Sequence, residues 1–80
     1  MKGVMNMNEA INKYGWSAIE TKNGYDLLNK KGNKVVDVKV RGSKYIFFDM
    51  GNYKLLSGNK NVVEAAVELL TKYYYCEVLA

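Results

Sequence analysis

Apolar residues recur along this chain with two different periods, and the switch between them divides it into helices and strands. Met7, Ala10, Ile11 and Tyr14 fall at i, i+3, i+4 and i+7, the stripe of an amphipathic helix. Asn6 precedes that stripe and Glu9 follows three residues later, the spacing of a reciprocal N-terminal cap. A short helix is therefore predicted over 7–14, with Gly15 placed to close it in the left-handed region.

From Trp16 onward the period falls to two. Glycines at 24, 32, 42, 51 and 58 punctuate the stretch with the cadence of an antiparallel meander. Strands are predicted over 16–22, 25–29, 34–41, 44–50 and 53–56. Asn23-Gly24 predicts a type I′ hairpin turn, whose two central residues need positive φ. Gly51-Asn52 reads as a second tight turn, and Gly32-Asn33 and Gly42-Ser43 as looser connections. Val36, Val38 and Val40 share one side of their strand, while Asp37, Lys39 and Arg41 take the other. In 44–50 both sides are apolar: Ile46, Phe48 and Met50 on one, Tyr45 and Phe47 on the other. That pattern belongs to a central strand whose second face is covered or used.

Asn61 and Glu64 repeat the cap spacing. Val62, Val63, Ala66, Val67, Leu69, Leu70 and Tyr73 then form a wide apolar helix face, with Glu64 and Glu68 toward its positive end and Lys72 toward its negative end. Past Lys72, Tyr74, Cys76 and Val78 alternate with Tyr75, Glu77 and Leu79. The alternation predicts a terminal strand, with a helix continuing through Tyr75 as the alternative. The expected architecture is one α+β domain over 1–80: a short N-terminal helix, a meander of four to five antiparallel strands, and a C-terminal helix packed on one sheet face.

Composition narrows the chemistry. Of 80 residues 49% are hydrophobic and 25% charged, values of a folded domain rather than a disordered one. Histidine and proline are absent and there is one cysteine. A disulfide framework, a Cys/His zinc site and any triad that needs imidazole are excluded. The carboxylates Glu9, Glu20, Asp26, Asp37, Asp49, Glu64, Glu68 and Glu77 show no recognisable pairing. Asp37 and Asp49 could meet across neighbouring strands, but Asp37 is the natural solvated partner of Lys39. The serines and threonines have no base beside them, and Gly42-Ser43-Lys44 is only the tail of a phosphate loop. No enzyme activity, metal or cofactor is expected. No signal or transit segment is recognised, and no apolar run is long enough to span a bilayer. The expected setting is the reducing cytoplasm of a host cell, with Cys76 as a small buried hydrophobe.

Charge is concentrated. Between residues 22 and 44 lie Lys22, Lys30, Lys31, Lys34, Lys39, Arg41 and Lys44 against only Asp26 and Asp37. A hairpin and its loops thus hold the basic surplus, with Tyr25, Tyr45 and Tyr53 close enough in sequence to offer stacking surfaces. Lysine-rich edges also keep a sheet soluble and unpaired, the simpler account of the same residues. Tyr45 or Phe47 would be exposed anchors if the far sheet face were bare. Among Tyr73, Tyr74 and Tyr75, one or two should close the core, leaving another for contact. The partner-binding candidates are accordingly Lys30, Lys31, Lys34, Lys39, Arg41, Lys44, Tyr25, Tyr45, Phe47 and Tyr53.

Lysine outnumbers arginine eleven to one, and asparagine and tyrosine are frequent, which are marks of A/T-rich codon usage. With the small size, the missing catalytic groups and the helix–meander–helix order, the chain resembles small inhibitors encoded by phages and mobile elements, of the anti-CRISPR type. The resemblance rests on architecture and composition rather than on a motif. It implies a non-enzymatic protein that binds a host effector nuclease or its guide RNA and blocks assembly or target loading. Many such inhibitors are acidic DNA mimics, whereas this chain is basic. The alternative is a nucleic-acid-binding module that uses the basic hairpin with tyrosine stacking. A homodimer through an open sheet edge or the terminal strand is the third option.

Overall fold

The computed structural model describes residues 6–49, 52–54 and 61–79, the segment 52–54 by its backbone. In chain order the elements are α1 (Met7–Asn12), β1 (Ser17–Thr21), β2 (Gly24–Leu28), β3 (Lys34–Arg41), β4 (Lys44–Asp49), β5 (Asn52–Lys54) and α2 (Val62–Tyr73). The strands form one antiparallel sheet in the order β1-β2-β3-β4-β5, the meander the glycine cadence predicts. Met50, Gly51, Gly58 and residues 55–56 of the predicted last strand lie outside the described residues.

Both helices begin as their sequences require. The Glu9 N–H donates to Asn6 Oδ1 at 2.8 Å and the Asn6 N–H to Glu9 Oε1 at 3.3 Å. Asn61 and Glu64 repeat the exchange at 2.8 and 3.2 Å. Each cap satisfies amides that the first helical turn leaves bare, a contribution of about 1 kcal/mol. α1 stops at Asn12, short of the predicted 14, and Gly15 at φ 87° turns the chain toward β1.

The turns differ from expectation in an instructive way. The β1–β2 hairpin turns on Lys22 and Asn23, with Thr21 opposite Gly24 and neither Asn23 nor Gly24 at positive φ, so it is not a type I′ turn centred on Asn23-Gly24. Gly24 is required instead by proximity. A Cβ there would collide with the Val38 carbonyl oxygen on β3. The tight turn with a positive-φ glycine is at Gly42-Ser43, between Arg41 and Lys44; only Gly42, at φ 62°, needs the left-handed region, the pattern of a type II′ turn. Asn52 already sits in the ladder opposite Asp49.

Register decides which face of β4 is inside. Val38 stands opposite Phe47 and Val40 opposite Tyr45, so the valine side of β3 and the Tyr45/Phe47 side of β4 share one face. That face receives both helices. Phe47, Leu27, Val36 and Val38 interlock with Met7, Ala10 and Ile11 of α1 and with Ala65, Ala66, Leu69 and Leu70 of α2. α1 also packs on β1 and on α2. The Tyr45 ring meets Phe47 edge-on at 5.7 Å. Its phenol is pushed up by burial and then by Glu68 and Glu64, the α2 carboxylates nearby. On the outward side of β1 the Ala18 N–H donates to Asn8 Oδ1 of α1 at 2.9 Å.

No terminal strand forms. α2 ends at Tyr73, and Tyr75 adopts φ 55°, a left-handed conformation that costs a non-glycine residue about 1 to 2 kcal/mol. The tail then runs back across the ends of α1 and α2, held where the Cys76 N–H donates to the Leu70 carbonyl (3.0 Å) and the Leu79 N–H to the Lys13 carbonyl (2.7 Å). Alternation survives without pairing: Tyr74 and Cys76 are half-buried, Tyr75 and Glu77 exposed. Among the described residues no helix is long and apolar enough to cross a membrane.

Candidate functional site

The ten residues singled out from the sequence do not form one surface. Tyr45 and Phe47 are corrected first. At 7% and 0% exposure they are core residues under the helices, and the open face carries Ile46 and half-buried Phe48 instead. Tyr25 lies on the helix side, opposite Val38 and packed against the core, not among the lysines. Tyr53 stands opposite Phe48 in the register of β5.

The basic residues separate as well. Lys34 and Arg41 stand at opposite ends of β3, about 23 Å apart at the rise of an extended strand. A register shift between Leu27 and Leu28 brings Lys34 onto Asp26 at 3.2 Å and Asp37 at 3.9 Å, and Lys39 approaches Asp37 at 3.6 Å. Asp26 and Asp37 are directly opposite across β2 and β3, so the two ammonium groups relieve a like-charge pair. The expected Asp37–Lys39 partnership is present, whereas Asp37 faces Phe48 rather than Asp49. Lys34 and Lys39 are thus engaged within the protein. Arg41 and Lys44 flank the Gly42-Ser43 turn at one end of the sheet, near Lys22; Lys30 and Lys31 occupy the β2–β3 loop at the other. Among the described residues those five make no ion pair.

At the second end lies a groove of about 800 Å3. One wall is the β2–β3 loop. Asn29 Oδ1 accepts from the Lys31 N–H at 3.0 Å and the Asn33 N–H at 3.1 Å, and the Gly32 N–H returns to the Asn29 carbonyl at 2.9 Å. This side-chain-closed loop holds Lys30 and Lys31 outward. The opposite wall is the tail, Tyr75 to Leu79, and the floor is Trp16 with Tyr74, whose rings meet at 5.1 Å. The Lys30 stem and the Leu79 methyl both lie over Gly15, where a Cβ would come within 2.8 and 3.3 Å of them. Tyr75, Val78 and Leu79 on the tail wall are large exposed hydrophobics, Tyr75 at 82%, and Tyr73 at the end of α2 is exposed as well.

Burial pushes the Cys76 thiol up, against a smaller opposing pull from Lys30 and the Trp16 indole, so at neutral pH it is a protonated, weakly nucleophilic group. Tyr74 Oη is buried without a hydrogen-bond partner in good geometry, and burial, then the nearby Asp49 carboxylate, push its phenol far above the ordinary tyrosine value. A folded-state pKa raised this way contributes stability that is complete below about pH 10, the unfolded value, and is lost as pH climbs toward the folded one. Tyr74→Phe is therefore expected to flatten the alkaline fall in urea-unfolding stability above pH 10, with neutral-pH stability equal to the wild type or higher. An unchanged alkaline slope in the variant would show that this phenol does not titrate in the folded interior.

Sequence reasoning missed most of this groove. The alternation puts Trp16, Asn29, Val78 and Leu79 in strands, and Asn33 falls in a loose connection. Asn29 followed by Gly32-Asn33 was the available signal, since an asparagine ahead of a positive-φ glycine builds a fixed loop. Among the described residues no three carboxylate or thiol groups converge as metal ligands. No protein-family model, curated protein or solved structure matches the chain.

Proposed function

We propose that this protein is a small non-enzymatic inhibitor that acts by occupancy, docking on a larger host effector and obstructing its assembly or target loading. The observation that carries the reading is the set of exposed apolar side chains at the end of the chain: Tyr75, Val78 and Leu79 on the groove's tail wall, with Tyr73 exposed at the end of α2. Isolated surface hydrophobics are ordinary, but four within seven residues at one end of so small a domain form an anchor for a partner. Sequence chemistry supports the same direction, since imidazole is absent and the single thiol is held protonated.

The test is functional. Purified protein added to an RNA-guided nuclease complex from its host is expected to suppress target cleavage at near-stoichiometric ratio. A Tyr75→Asp/Val78→Asp variant should lose the effect while melting at the wild-type temperature. Undiminished cleavage with excess wild-type protein, or equal inhibition by the variant, would overturn the reading.

A second reading, nucleic-acid binding, is favoured by the unpaired cations Lys22, Arg41 and Lys44 at the turn end of the sheet. Three phosphate contacts would give a log–log salt slope of about −2 to −3 with duplex or single-stranded oligonucleotides. Binding that is absent at low salt removes that reading.

A further inference from the structure

We infer that the groove between the β2–β3 loop and the C-terminal tail takes an extended acidic peptide segment of the partner, seated by an apolar side chain between carboxylates. The inference rests on the reading that this end of the molecule docks, and adds what it docks onto.

Three features point to that occupant. The rim is cationic: among the described residues Lys30 and Lys31 are exposed and unpaired, and Glu77 is the single acidic side chain lining the groove. Beside the lysines, Val78 and Leu79 present exposed apolar side chains along the tail wall, above a floor of Trp16 and Tyr74. Along that wall, between the anchored amides of Cys76 and Leu79, the amides of Glu77 and Val78 have no hydrogen-bond partner among the described residues. An extended backbone laid beside the tail would satisfy them, the main-chain pairing by which peptides are commonly held. Carboxylates on that peptide would meet Lys30 and Lys31, and an aliphatic or aromatic side chain would pack against the exposed Val78 and Leu79. A nucleic-acid strand fits less well. Trp16 is 5% exposed and offers almost no ring face for stacking, and two lysines are a short phosphate track.

Selection of a randomised peptide library on the immobilised full chain tests this directly. Enriched peptides should carry aspartate or glutamate flanking a hydrophobic residue. Their affinity should fall at least about tenfold in Lys31→Glu and further in Lys30→Glu/Lys31→Glu, the loss of a charge-assisted contact at each site. An Arg41→Glu/Lys44→Glu variant, reversed at the far end, should bind as the wild type. Lys31 is exposed and does not lie over Gly15, so its single variant keeps the test valid if the Lys30 stem proves needed there. Enrichment without acidic bias, affinity indifferent to Lys31, or no enrichment at all would overturn the inference. A single-stranded RNA oligonucleotide that outcompetes the selected peptides through the same lysines would overturn it in favour of nucleic acid. If peptides fail while nuclease suppression still depends on Tyr75 and Val78, the acidic-segment inference falls and the docking reading stands.

Discussion

Phe47→Ala is expected to destabilise the protein by about 3 to 5 kcal/mol, the range for emptying a fully buried aromatic site. The ring is completely enclosed on the central face of β4, touching Tyr45 and the residues that α1 and α2 contribute to the core. For a domain of this length the whole margin is roughly 4 to 12 kcal/mol, so the variant should be largely unfolded by modest urea, and partly unfolded without it at the low end of that range. Ile46→Ala, one residue along and on the open face, should cost under about 1 kcal/mol. Urea titration of both variants checks the pair. A larger cost for Ile46→Ala than for Phe47→Ala would mean that the two faces of β4 are assigned the wrong way round.

Gly24→Ala should cost about 3 kcal/mol, from overpacking against backbone together with loosened ladder hydrogen bonds. Most glycine substitutions in loops act through φ; this one acts through distance. The new methyl would meet the Val38 carbonyl oxygen, with the Val38 carbonyl carbon at 2.8 Å and Lys39 Cα at 3.2 Å. All three atoms belong to the backbone of the middle strand and cannot swing aside. Relief requires β2 to part from β3 where Gly24 faces Lys39, beside the bond from the Val40 N–H to the Asn23 carbonyl at 2.8 Å. A fall in Tm of about 12 to 24 °C corresponds to that cost for a domain of this size. Gly32→Ala, where φ is 83° and no atom lies within 4 Å, provides the contrast and should cost only about 1 to 2 kcal/mol. A Gly24→Ala melting curve that overlays the wild type would contradict the β2–β3 spacing.

Local signals were legible wherever one residue type answers one backbone need. Asn6 with Glu9 and Asn61 with Glu64 started their helices because the side chains satisfy amides within the same turn. The valine alternation of β3 pointed inward because its partner residues, Asp37, Lys39 and Arg41, could not. Failures arose where the answer depends on a second strand. Asn23-Gly24 carried the composition of a primed turn, yet the glycine was demanded by Val38, fourteen residues on, which no dipeptide rule contains. β4 is apolar on both sides, so only its register with Val38 and Val40 could choose between Phe47 and Phe48 for the core. The basic patch was a property of the chain that a hairpin dismantles: folding sends Lys30 and Lys31 to one end of the sheet and Arg41 and Lys44 to the other. The tail alternates without being a strand because alternating burial does not require pairing; packing across helix ends produces it equally.

The contact between Asn8 and the Ala18 amide reaches beyond the packing of α1 on β1. A sheet of five short strands has two borders at which a misfolded neighbour could attach and seed a fibril. On the β1 border, a side-chain carbonyl already sits where such a neighbour would place its own. Growth from that side must begin by evicting an asparagine from its seat, which leaves a small, tyrosine-rich protein guarded there by a single amide group.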